Sequence, residues 1–221
     1  MPTALLFWGG WNGHEPQACA HLFASLLEAD GFKVRVFDHL DCLLDASAMA
    51  NLDLIVPLWT MGEISKEQSQ ALRAAVRDGV GLGGWHGGMC DAFRQDVDYQ
   101  FMTGGQWVQH PGGIIPYSVQ ICDRSHPITK GIEDFSLVSE QYYMHCDPGN
   151  RVLATTTFAG DQEGIDWIRG VEMPVAWTKA YAAGRVFYAS VGHVRADFDV
   201  PGAQRLVHQG LRWAAGLEEP L

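Results

Sequence analysis

His86 stands at the centre of Gly84-Trp85-His86-Gly87-Gly88. A reactive residue flanked this way, on a turn from strand to helix, has the pattern of a nucleophile elbow: small neighbours permit a tight, strained turn that lifts the central side chain above the sheet edge, next to the N-terminus of the following helix. An imidazole in that place suits a general base, a proton shuttle or a metal ligand better than a covalent nucleophile. Cys90 comes four residues later, roughly one helical turn on, where its thiol points along the helix and packs.

Other groups gather around this one if the strands run parallel. His14 ends Gly9-Gly10-Trp11-Asn12-Gly13-His14, just before the first helix, and Trp59-Thr60-Met61-Gly62 follows a third strand with a hydroxyl and an aromatic face to offer. His193 closes Tyr188-Ala189-Ser190-Val191-Gly192-His193, from which it can reach the elbow; two residues on stands Arg195, not a carboxylate, so Asp197 or Glu140 is left to orient it. Glu140 lies in the run Phe135 to Cys146, where a period of two puts Glu140 and Tyr142 on one face and Gln141, Tyr143 and His145 on the other. Turned inward, Glu140 is a base or a metal ligand and needs a partner; turned outward it is a rim carboxylate. His126 precedes Pro127 and belongs to a turn, while in the loop Gln106 to Gly113 Trp107 can stack on a sugar face and His110 can bond a hydroxyl. Trp11, Trp59 and Trp85 fall in the proposed site loops.

The elements that must position these groups are readable from periodicity. Ala4 to Trp8, Lys33 to Phe37, Leu52 to Leu58 and Val80 to Trp85 read as strands. Between them lie a helix opened by Pro16, with Ala18, Leu22, Leu26 and Cys19, Phe23, Leu27 as its apolar stripe, and a helix opened by the capping box Ser65-Lys66-Glu67-Gln68 with Leu72 and Val76 inward. Such alternation predicts a parallel sheet covered on both faces, with the loops that follow the strands on one ligand-binding edge. The second half is richer in strands: Ile115 to Cys122, Phe135 to Cys146, Arg151 to Thr157, Pro174 to Lys179 and Arg185 to Val191, before a helix from about Pro201 to Ala215. No linker or repeat interrupts the chain, so one domain over 1–221 is expected.

With 26 acidic and 15 basic residues the formal net charge is −11, which opposes nucleic acid and anionic membranes as partners. No segment reaches the roughly 18–20 apolar residues of a membrane span, and no secretory signal pattern opens the sequence, so a cytoplasmic location is expected. Five scattered cysteines without a CxxC pair indicate neither a disulfide framework nor a zinc ribbon.

Taken in order, these segments resemble the ThuA-like (trehalose utilisation) family of the class I glutamine amidotransferase-like superfamily. The likeness rests on Gly13-His14, the His86 elbow, Gly105 to Gly113 with His110-Pro111, His126-Pro127-Ile128-Thr129, Glu140-Gln141-Tyr142-Tyr143, Pro174-Val175-Ala176-Trp177, Gly184 to His193 and Trp213-Ala214. It implies a flavodoxin-like three-layer α/β/α fold with a mostly parallel central sheet, and a role in sugar catabolism alongside enzymes that make 3-keto derivatives of trehalose or related glycosides. His86, where amidotransferases carry cysteine, excludes their chemistry, and amidohydrolase chemistry through Cys90 is the weaker alternative. The resemblance leads to a cleavage of 3-keto-glycosides in which His86, His193 and Glu140 are catalytic. The substrate contacts are then His14, Trp11, Trp59, Thr60, Gly87, Trp107, His110 and Tyr142, and a zinc-like divalent ion is held by some of His14, His86, His193 and Glu140. The expected partner is a small carbohydrate, with a homo-oligomer left open. A non-catalytic sugar-binding protein on the same scaffold is the other reading.

Overall fold

The computed structural model describes residues 1–162 and 164–217; the remaining positions of the expected 1–221 domain lie outside the described residues. The apolar runs form β1 (Thr3–Gly10), β2 (Lys33–Phe37), β3 (Leu54–Thr60) and β4 (Gly81–Trp85), alternating with α1 (Pro16–Ala29), the single turn α2 (Ala46–Met49), α3 (Lys66–Arg77) and α4 (His86–Cys90). After α5 (Val97–Thr103) come β5 (Gly105–Gln109), β6 (Ile114–Ile121), β7 (Phe135–Glu140), β8 (Tyr143–Cys146), β9 (Arg151–Thr157), β10 (Glu172–Tyr181) and β11 (Gly184–Ala189), and α6 (Pro201–Ala214) closes the described chain.

The main sheet has the order β2-β1-β3-β4-β11-β10-β9-β6-β7. The five strands from β2 to β11 are parallel, and β10, β9, β6 and β7 extend them antiparallel. This is the expected mostly parallel sheet with its β-rich extension. Alternation along β1 divides the core: Ala4 and Leu6 face α1 and α6, with Phe23, Leu27, Leu206 and Leu211, while Leu5 and Phe7 face α3 and α5, with Leu72, Val76, Tyr99 and Met102. Each of these large apolar side chains contributes about 1.5–3 kcal/mol by leaving water, which pins both helical layers to the sheet. The α3 capping box forms as its sequence predicts, Ser65 and Gln68 each bonding the other's backbone. On α1 the inward stripe is Cys19, Ala20, Phe23, Ala24 and Leu27; Leu22 and Leu26 are half-buried and Ala18 is exposed.

Two expectations change. The run Phe135 to Cys146 is not one strand: β7 ends at Glu140, Gln141 and Tyr142 form a link, and β8 departs to pair with β5 in a separate two-stranded sheet. The segment expected as a loop from Gln106 thus begins as a strand, whose conformation is set by its long-range partner β8 and not by its own glycine-rich flanks. The helix α5, capped by Asp96 through the Tyr99 amide, was not legible in the pattern either. Among the described residues, no helix is long and apolar enough to cross a membrane.

Candidate active site

The carboxyl ends of four adjacent parallel strands build one wall of the site. His14 follows β1, Thr60 ends β3, His86 follows β4, and His193 lies four residues beyond β11. The chain runs from β1 to β2 on one side and then crosses back past β1 to β3 on the other, so the crevice between β1 and β3 is the switch point where open α/β sheets bind ligands. The His14 Nδ1 to Thr60 Oγ1 hydrogen bond, 2.7 Å long, spans that crevice.

The elbow has the expected geometry. Trp85 is extended, α4 begins at once, and His86 itself takes the left-handed backbone conformation (φ 46°), a strained state for a non-glycine residue that persists where the surroundings enforce it. Glycine at 87 lets the histidines meet: a Cβ there would lie 2.4 Å from Cε1 of His14. His86 is 1% exposed, with Tyr142 stacked on its ring at 4.0 Å and both nitrogens engaged. Nδ1 donates to the Ser190 carbonyl (2.9 Å), and Nε2 stands 3.1 Å from Oε2 of Glu140.

Glu140 is the hub. Ending β7 on the far antiparallel side of the sheet, it is buried, so it is no rim carboxylate. Its Oε2 lies 3.1 Å from His86 Nε2, 3.3 Å from His193 Nδ1, 3.5 Å from His110 Nδ1 and 3.9 Å from His14 Nε2. Of these, the His193 and His110 nitrogens lack hydrogen-bond geometry and have no other partner among the described residues. Burial, reinforced by the neighbouring His86 and His193, drives the pKa of His14 down to about 2 against the pull of Glu140. Burial likewise lowers that of His86 against the Glu140 and Ser190 contacts. Burial pushes the Glu140 carboxyl up, but the His193 and His86 contacts outweigh it and hold it below the usual carboxylate range. The centre is therefore an ionised carboxylate facing the neutral imidazoles of His14 and His86.

The two acids considered for orienting His193 touch different parts of it. Glu140 faces its ring, and Asp197 accepts from its backbone N–H (2.8 Å) and from the Ser139 hydroxyl (2.6 Å). Arg195 serves the loops instead: its amide donates to Glu15 Oε2 (3.0 Å), joining the segment after β11 to the one after β1.

Beside this centre a cavity of about 140 Å³ is lined by Trp11, His14, Met61, Asp91, Trp107, His110, Glu140 and Tyr142. A larger cavity of about 480 Å³ lies between the start of α3 and residues 93–98 and has no histidine; chemistry, not size, decides between them. Trp11 is exposed at the mouth with its ring edge-on to His14. Trp59 is brought elsewhere, packed over Gly9 and Gly62 and outside the cavity lining, and Trp85 is core, against Phe23 and Phe198. His145 is exposed on β8, and His126 is buried in its turn, accepting from the Ile128 amide. Cys90 is fully buried and its thiol pKa is pushed well above the usual value by that burial, as a packed thiol requires. One feature of the cavity escaped the sequence reading: Asp91, buried, takes two hydrogen bonds from Arg94 (2.6 and 2.9 Å), whose guanidinium lies over the Trp107 ring at 4.8 Å. The signal was only an acidic and a basic residue three apart.

A sequence profile of the family described as trehalose utilisation (ThuA) matches residues 3–214. The chain belongs to the ThuA family. Two solved ThuA-like proteins share its fold. The one from Parabacteroides merdae superposes with a TM-score of 0.75 at 21% identity, over 97% of this chain and 90% of that one. The one from Bacteroides uniformis gives 0.76 at 19%, over 96% and 91%. A β-galactosidase from Bacillus circulans sp. alkalophilus contains the same fold, with a TM-score of 0.60 at 12% identity over all of this chain and 32% of that one. No curated protein sequence matches the chain.

Proposed function

We propose that this ThuA-family protein is a sugar-catabolic enzyme that cleaves the glycosidic bond of a 3-keto-glycoside, such as 3-keto-trehalose, by imidazole acid/base chemistry. The observation that carries the reading is Glu140: one buried carboxylate faced by four histidine nitrogens at 3.1–3.9 Å, beside a cavity with tryptophan at its mouth. A cavity of that size is below the roughly 300–1,000 Å³ that encloses a drug-sized ligand, so a disaccharide would seat one ring inside and leave the other in solvent.

A ketone at C3 acidifies the proton on C2. His86 has no nitrogen free for substrate, and His14 is committed to Thr60; His110, with a side chain 34% exposed, lines the cavity and takes the C2 proton. The electron pair moves onto the C3 oxygen, giving an enediolate. As the carbonyl re-forms, the pair shifts into a C1–C2 double bond, the C1–O bond breaks, and the departing oxygen receives a proton from the imidazolium just formed. Water added across C1–C2 by the same groups completes hydrolysis. Glu140, His86 and His193 hold the charge pattern around the enediolate.

Consumption of 3-keto-trehalose by purified protein, compared with its His110→Ala and His86→Ala variants, tests this. Turnover lost in both variants with fold retained supports it. Binding of the sugar without any turnover in the wild type overturns it in favour of a sugar-binding protein, and turnover lost only in Cys90→Ala would favour amidohydrolase chemistry.

A further inference from the structure

We infer that His14 Nε2, His86 Nε2, His193 Nδ1 and Glu140 Oε2 form a binding site for one divalent transition-metal ion of the zinc type. The four atoms lie within 4.8 Å of one another, and three strand ends of the parallel sheet and the end of β7 deliver them to one point. Ligands bound about 2.0–2.2 Å from a shared ion stand no more than about 4.4 Å apart, so the set needs to close by only a few tenths of an ångström.

The decisive feature is the tautomer of His86. A carbonyl oxygen only accepts, so the bond from Nδ1 to Ser190 O fixes the hydrogen on Nδ1 and leaves a lone pair on Nε2. That lone pair points at a carboxylate oxygen 3.1 Å away. Two acceptors held so close need a positive centre between or beside them. A proton could satisfy only this pair. The nitrogens of His193, at 3.3 Å and unpartnered, and His14, at 3.9 Å, converge on the same oxygen, and one ion serves all four.

The outer contacts are those of metal-ligating histidines, which characteristically donate their other nitrogen to a carbonyl or a neighbouring oxygen. His86 does so to Ser190, and His14 is bonded through Nδ1 to Thr60 Oγ1. Three imidazoles and a carboxylate suit zinc and its neighbours in the first transition row, not calcium or magnesium. His110, half-exposed, stays outside the set, free for proton transfer. What the ion would do rests on the keto-glycoside reading: as a Lewis acid it would polarise the C3 carbonyl. Whether it binds does not rest on that reading.

The test uses untagged protein freed of metal by dialysis against a chelator, then titrated with ZnCl2 by calorimetry and with CoCl2 by visible absorption. One Zn2+ per chain is expected, together with cobalt ligand-field bands. His193→Ala and Glu140→Gln should each weaken Zn2+ binding at least about 100-fold, Thr60→Val about 10-fold to 100-fold, and His110→Ala less than about twofold. Glu140→Gln keeps the side-chain shape, and circular dichroism of each variant confirms that it folds. No stoichiometric binding by the wild type, or binding untouched in both His193→Ala and Glu140→Gln, overturns the site. Zinc bound here without turnover of 3-keto-trehalose supports the site and removes the keto-glycoside reading. Full turnover by the metal-free protein overturns the ion's part while that reading stands.

Discussion

His86 Nε2 and Glu140 Oε2 meet at 3.1 Å although 54 positions separate them in sequence, and the other nitrogen of the same ring is already given to the Ser190 carbonyl. This pairing fixes which atoms can do chemistry. It also costs stability, because an ionised carboxylate is buried opposite a lone pair. Glu140→Gln turns the clash into a hydrogen bond, since the new amide can donate to Nε2. The variant should unfold at the same temperature as the wild type or higher, while turnover of a 3-keto-glycoside falls by about 10²-fold or more. Calorimetric unfolding and an activity assay on the same preparation check both halves; a large loss of stability would show that the carboxylate has a partner that an amide cannot replace.

The elbow, His14 and His193 were legible because glycines and strand ends leave local marks, and parallel topology then sends all three to one edge. The inward placement of Glu140 was not legible, because alternation assumes a continuous strand and the chain breaks at Gln141–Tyr142. That break lets Tyr142 lie over His86 while Tyr143 starts β8. Trp107 reads as a loop residue in the sequence because β5 is specified by pairing with β8, a contact with no local signature. Trp59 and Trp85 show the reverse error: both sit at strand ends, yet their rings pack inward on neighbouring glycine and phenylalanine.

Gly87 carries a second expectation. A Cβ at this position would come within 2.4 Å of His14 Cε1 and 2.7 Å of its Nδ1, closer than any real contact, so Gly87→Ala must push the His14 ring off Thr60. Overpacking of this kind costs about 1–3 kcal/mol. The protein should remain folded with a modestly lower unfolding temperature, but lose most of its activity, because the displaced atom belongs to the site. Activity equal to wild type would mean that His14 is dispensable.

The pair His208–Asp30 predicts a pH dependence of stability away from the site. His208 Nε2 lies 2.7 Å from Asp30 Oδ2, and Arg212 holds the other oxygen at 2.8 Å. Burial lowers the His208 pKa, outweighing the Asp30 contact that raises it, with Arg212 adding to the lowering. A depressed histidine pKa means that the unfolded chain takes up the proton first as pH falls. The stabilising contribution is thus complete above about 6.5 and is lost below it, by up to about 1.4 kcal/mol per pH unit until the folded form also titrates. His208→Gln removes this term, so the stability gap between wild type and variant should narrow from pH 7.5 to pH 5. Unfolding curves for both proteins across that range decide it; a gap that widens on acidification would place a protonated His208 in the folded state.

Arg94 offers the last test, of how the cavity keeps its shape. Its guanidinium grips both oxygens of buried Asp91 and covers one face of Trp107, so it ties the loop after the elbow to the wall made by β5. Arg94→Met keeps an apolar stem over the indole but removes both hydrogen bonds. Burial already raises the Asp91 pKa even with Arg94 in place, so the bereft carboxyl should take up a proton instead of remaining a buried charge, and the loss of stability should stay near 1–3 kcal/mol. Because Trp107 and Asp91 line the cavity while the His86–Glu140 contact is untouched, the effect on catalysis should appear mainly as a raised KM for the keto-glycoside, with kcat changed less than about threefold. An equal fall in kcat with KM constant would instead give Asp91 a part in the transition state.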